Sequence, residues 1–194
     1  MMVNKKYIIL LSGGVICLLL ISVAYAAMSS QLTLSVNEVT QTAQSWNVAL
    51  TTGTLTATVE GTGDTGRSCG TATATATAIT VNNTTLSKPG DGCVYTFVVN
   101  NTGTIAAKLG TITPTKPTST TCGTASGGNM VCGNITYRVT TNSAGTTIAK
   151  SSNTTVAAGG TKTLYLVVRY TGTDLATSAV TQTGAKFKLP FNQA

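Results

Sequence analysis

Beyond residue 26, apolar side chains return at every second position in short runs, and a glycine, asparagine or proline turn closes most of them. That spacing is the strand period. A helix would need apolar residues three and four apart, and no convincing amphipathic helix can be drawn in residues 27–194. Cys93, Tyr95, Phe97 and Val99 share one face of the clearest run, and Val94, Thr96 and Val98 share the other. Leu164, Leu166, Val168 and Tyr170 form a second such row. Shorter rows are Leu32, Leu34 and Val36; Trp46, Val48 and Leu50; Leu55, Ala57 and Val59; Ile135, Tyr137 and Val139; and Phe187, Leu189 and Phe191. The stretch TATATATAITV (71–81) reads as one strand with a small Ala side and a polar Thr side. Strands at roughly ten-residue spacing predict an all-β chain, an antiparallel β-sandwich of jelly-roll or Ig-like type.

The turns have their own chemistry. In SKPGDG (87–92), Pro89 fixes φ and Gly90 permits positive φ. Asn100 to Gly103 reads as a turn into Ile105–Thr113, Asn142–Gly145 as a hairpin turn, and 115–129 as a long loop pinned by Cys122. Residues 85–104 and 155–173 echo each other as turn, apolar strand and TGT turn. Two similar strands in one sandwich account for that.

Threonine makes up about a fifth of the chain; it is β-branched, favours strands and shows water a hydroxyl. With few charges beside it, the exposed faces are neutral and polar, which suits lateral packing between copies.

The N-terminus sets the compartment. Lys5 and Lys6 precede the uncharged Tyr7–Val23, and Ala24-Tyr25-Ala26 presents small residues at the two positions a signal peptidase reads. This predicts a hydrophobic signal helix, residues 1–26, cleaved after Ala26, and a single domain, 27–194. The alternative is a retained anchor, since Tyr7–Ala27 is long enough to span a bilayer. In either case the remainder lies outside the cytoplasmic membrane, secreted or at the cell surface, touching the membrane only through the N-terminal segment.

Four cysteines then remain, Cys69, Cys93, Cys122 and Cys132, which allow three pairings. Cys69–Cys93 and Cys122–Cys132 are favoured because both close short loops. A zinc site fails on spacing and on the complete absence of histidine.

The same absence removes the common general base and the Ser–His pair. The five carboxylates, Glu38, Glu60, Asp64, Asp91 and Asp174, form no close pair and no calcium-loop spacing. Asp64 and Asp91 sit in glycine-containing turns, where aspartate serves the backbone. The expectation is therefore no enzyme, no cofactor and no metal. The formal charge falls from +7 to +5 once Lys5 and Lys6 leave with the signal, and the remaining cations are scattered, Lys186 and Lys188 excepted. Specific nucleic-acid binding would require a dense patch with aromatic platforms. Asn82, Asn83, Asn100, Asn134 and Asn153 begin N-x-T sequons, as chance supplies in a chain so rich in Asn and Thr.

Three segments resemble the camelysin/TasA-type secreted proteins. They are AYAAMSSQLTLSV (24–36) followed by SWNVAL (45–50), the central KPGDGCVYTFVVNNTGTIAAKLG (88–110), and the terminal AKFKLPFNQA (185–194). The resemblance implies a jelly-roll sandwich that assembles into biofilm-matrix fibres by strand exchange. The metalloprotease activity described for some members does not carry over, because the chain has no HExxH and no His. The four cysteines and the 114–129 loop depart from the family pattern.

The expected role is thus an exported structural protein that associates with itself or with other matrix proteins after signal peptidase acts. Its donor strand would be Met28–Val39, with Leu32, Leu34 and Val36 filling a neighbour's groove. A monomeric adhesin or ligand-binding module is the competing reading. The strand location of most aromatics favours the first, since such rings usually pack the core.

Overall fold

The computed structural model describes residues 44–61, 67–118, 121–173 and 180–194, all within the unit Ala43–Ala194. The donor-strand residues Leu32, Leu34 and Val36 and the cleavage residues Ala24 and Ala26 lie outside them.

Two ten-residue strands form the centre: β7 (Gly92–Asn101) and β14 (Thr161–Tyr170). They run antiparallel in continuous register from Asn100 opposite Thr161 to Gly92 opposite Arg169. Their alternation explains the pairing. Cys93, Tyr95, Phe97 and Val99 and the row Leu164, Leu166, Val168 and Tyr170 are all buried on one side, so a one-residue slip would turn every one of them outward. Beyond β14 lie β12 (Ile135–Thr140), β11 (Asn129–Cys132) and β10 (Cys122–Ser126). On the far side of β7 the edge is made in two pieces, β1 (Val48–Leu50) and β3 (Ala57–Glu60).

Between those pieces, β2 (Gly53–Leu55) leaves for a second sheet. Its order is β2, β4 (Ala72–Ala74), β5 (Ala78–Val81), β16 (Ala185–Lys188) and β9 (Thr113–Thr115). A three-stranded sheet of β13 (Thr155–Val156), β8 (Ala107–Leu109) and β17 (Phe191–Gln193), and a pair of β6 (Thr84–Leu86) with β15 (Val180–Gln182), complete it. All pairings are antiparallel and one sheet curls into a half-barrel. Apolar residues of the main, second and three-stranded sheets belong to one buried cluster.

Five sequence expectations are corrected. TATATATAITV is a hairpin, not one strand: Ala72 faces Val81 and Ala74 faces Ile79. The Thr75 N–H and hydroxyl both donate to the Ala78 carbonyl, at 2.8 and 3.2 Å, and close the turn. Folding back places two alanines and two β-branched residues together in the core. Leu55, Ala57 and Val59 do not form one row, because β2 and β3 join different sheets and Val59 stays 49% exposed. Ile105–Thr113 likewise divides into β8 and the start of β9. The 115–129 segment contains β10, paired with β11 through a bulge between Cys122 and Ala125. The Phe187–Phe191 row also breaks, because Pro190 has no N–H to donate. The Pro190 carbonyl instead accepts from the Gly110 N–H at 2.8 Å, and Phe191 continues in the three-stranded sheet.

Buried tyrosines carry hydroxyls that need partners. Tyr95 donates to the Gly70 carbonyl at 2.7 Å and Tyr137 to Gln182 Oε1 at 2.7 Å. Gln182 in turn donates to the Cys132 carbonyl at 3.1 Å. Burial, and secondarily the neighbouring Tyr95, push the Tyr137 phenol well above its ordinary value. The folded state therefore holds this proton at a pH where the unfolded chain has lost it. Stability from this site is intact below about pH 10 and is lost as pH rises beyond it. Thermal melts taken across the alkaline range should show that loss, and Tyr137→Phe should flatten it. The substitution should also lower stability by about 1–2 kcal/mol at neutral pH, because Gln182 Oε1 loses its donor.

Candidate functional site

The described chain enters the fold at Gln44. Ser45 and Asn47 accept, through their carbonyls, from the N–H groups of Thr104 and Thr102, both at 2.9 Å. The Ser45 N–H donates to Thr104 Oγ1 at 3.0 Å. This close approach requires Gly103: a Cβ there would lie 2.3 Å from the Ser45 carbonyl oxygen.

The organiser of the region is Asn101. Its side chain is buried and its Nδ2 donates to the carbonyls of Ile105, Val156 and Ala157 at 2.8, 3.2 and 3.1 Å. Its Oδ1 accepts from the Gly103 N–H at 3.1 Å. One amide thus ties the end of β7 to the start of β8 and to the segment leading into β14. The sequence reading assigned Asn101 to a turn. The signal was present in the alternation: 93, 95, 97 and 99 face the core, so 101 is the next core position, and a polar residue there needs buried partners.

At this edge lie the two exposed large apolar side chains of the described residues, Trp46 before β1 and Val59 in β3. Among the described residues, β1 and β3 pair as strands only with β7; the Leu50 N–H donates to the Ala76 carbonyl at 2.9 Å and the Glu60 carbonyl accepts from Arg67 Nη1 at 2.9 Å.

The solvent face of the second sheet is different. Thr54, Thr73, Thr80, Lys186 and Thr115 face one another in unbroken register across all five strands. At about 4.8 Å per strand this row spans roughly 20 Å. Lys188 and Thr113 form part of the adjacent row. No described carboxylate lies on either row.

The cysteines pair as Cys69–Cys93 and Cys122–Cys132. The first ties the chain ahead of β4 to β7. The second joins directly opposed residues of β10 and β11. Such bonds fit an oxidising environment. Alkylation of the native chain after removal of residues 1–26 should label no cysteine in mass spectrometry. Reduction should lower stability by about 3 kcal/mol per bond on loop entropy; labelling of two or more cysteines without reductant would contradict the bonds.

Of the carboxylates, two are described. Asp91 is fully buried; its Oδ2 accepts from the N–H groups of Ser87 and Lys88 at 3.1 and 3.2 Å, and Oδ1 lies 3.8 Å from Arg67 Nη1. It holds the turn in which Gly90 has a φ of +92°. Glu60 receives Arg169 through two contacts of 2.8 and 2.9 Å, a partly exposed pair that raises the Arg169 pKa. Asp64, Asp174 and Glu38 lie outside the described residues. Among the described residues no three His, Cys, Asp or Glu side chains gather as a metal would require.

Comparison with protein-family models, with curated proteins and with solved structures returns no match.

Proposed function

We propose that this chain is an exported structural protein of the cell surface or extracellular matrix, a jelly-roll-type sandwich whose subunits join into fibres by strand donation. The observation that carries the reading is the β1/β3 edge, to which no further described strand is added. It presents Trp46 and Val59 to solvent, and a chain segment that adds as a strand would cover both. The donor is Met28–Val39, which precedes the anchored Ser45–Asn47 segment in the chain. Cleavage after Ala26 frees it, and Leu32, Leu34 and Val36 set its register through the period-two pattern. Thr-rich faces with few charged residues limit the repulsion between fibres that pack side by side.

Electron microscopy of the purified chain 27–194 tests the assembly. The proposal expects unbranched fibres; particles that stay monomeric at high concentration favour the adhesin or ligand-binding module.

A further inference from the structure

Away from that edge, an open cleft of about 550 Å³ lies against the three-stranded sheet. Lys108, in the central strand β8, stands between Thr155 and Asn192 on its neighbours. Lys150 comes from the segment that follows the Asn142–Gly145 turn, and Ser126 is the last residue of β10. These residues are exposed, while Leu109, Ile112 and Ala149 form a buried apolar floor. The segment carrying Lys150 is fixed: Asn153 Oδ1 accepts from the Lys150 N–H at 2.8 Å and its Nδ2 donates to the Ile148 carbonyl at 2.9 Å.

The chemistry of the lining is selective. Among the described residues that line it, two carry ammonium groups and none a carboxylate. The two described carboxylates are engaged elsewhere, by Arg67 and Arg169. Among the described residues neither cleft lysine is in an ion pair, so both charges are available to a ligand. Hydroxyl and amide side chains of Ser126, Ser151, Thr111 and Asn192 complete the polar part. None of the described residues lining the cleft is aromatic, so it shows no stacking platform of the kind single-stranded nucleic acid uses. The volume falls in the range of about 300–1,000 Å³ typical of small-ligand sites.

We propose that this cleft binds an anionic glycan segment: a polyhydroxylated chain carrying oxyanions, held by Lys108 and Lys150 through charge and by the hydroxyl and amide groups through hydrogen bonds. A lysine ammonium recognises an oxyanion as a point charge rather than through a planar fork, so phosphodiester-linked polyols and uronic-acid polysaccharides share the chemistry required. The site does not depend on strand donation and operates in a monomer or a fibre.

Isothermal titration of the oxidised chain 27–194 with oligo(glycerol phosphate) and with oligogalacturonate, at low and physiological salt, tests this. Binding of at least one probe is expected, weakening as salt rises. The tighter of the two identifies the source of the oxyanion. The pair Lys108→Gln and Lys150→Gln should weaken it tenfold or more; both residues are exposed, so the fold should persist, and circular dichroism checks that. The pair Lys186→Gln and Lys188→Gln removes equal charge from the second sheet and should leave affinity within twofold. Equal losses from both pairs would mean that net charge alone attracts the probes and would overturn the site. Absence of binding by both probes, equal affinity for a neutral maltooligosaccharide, or tighter binding of oligothymidylate of matched charge would each overturn it as well.

Discussion

Replacing Asn101 with leucine is expected to destabilise the fold by about 3–5 kcal/mol, since it leaves the Ile105 and Val156 carbonyls and the Gly103 N–H without this partner, each worth about 1–3 kcal/mol when buried, while the Ala157 carbonyl keeps the Gly160 N–H at 3.0 Å. For a chain of this size the melting temperature should fall on the order of 10 °C. Leucine has the branching of asparagine and is larger, so cavity formation is not the cause. The comparison with Asn100→Leu makes the point, because Asn100 uses its Nδ2 only on Thr51 Oγ1 at an exposed site. That variant should lose less than about 1 kcal/mol. Denaturant titration of the two proteins measures both values. A small loss for Asn101→Leu would show that the three segments converge without its amide.

The second large effect concerns assembly. Deleting Met28–Val39 is expected to abolish ordered fibres while the strands from β1 to β17 still form. Leu34→Lys should impair polymerisation more than it lowers the melting temperature of the subunit, because a lysine cannot enter an apolar register position on a neighbour. If the segment instead packs into its own subunit, Leu34→Lys will lower the melting temperature sharply and the deletion will melt early. Electron microscopy and thermal melts of the same preparations separate the two.

The central strands were legible because their alternation is long and two-sided. In β7, Cys93, Tyr95, Phe97 and Val99 could face only one way, and β14 repeats the pattern with Leu164, Leu166 and Val168. The disulfide pairs follow from short-loop economy. The misread segments share a cause: alternation records which face a residue takes but not where the chain reverses. In TATATATAITV the Thr–Ala repeat runs unbroken from β4 through the turn to Ala78, and the reversal is made by Thr75 and Ala78, neither of them a usual turn residue. Pro190 did mark the break between Leu189 and Phe191, and the spacing of the apolar residues masked it. Asn101 reads as a turn residue by type and as a core residue by position; position decides. The charged cleft is assembled from β8, the β10–β11 turn, residues 148–151 and β17, whose proximity is set by sheet order and leaves no local motif.

Strand donation in trans can be measured without fibres. A synthetic peptide of residues 28–39 is titrated into the oxidised chain that lacks them, and the complex is followed by calorimetry and by its melting temperature. The account predicts a saturable one-to-one complex, a raised melting temperature, and loss of both with the Leu34→Lys peptide. Failure of the native peptide to bind, together with normal fibres from the deleted chain, would contradict it.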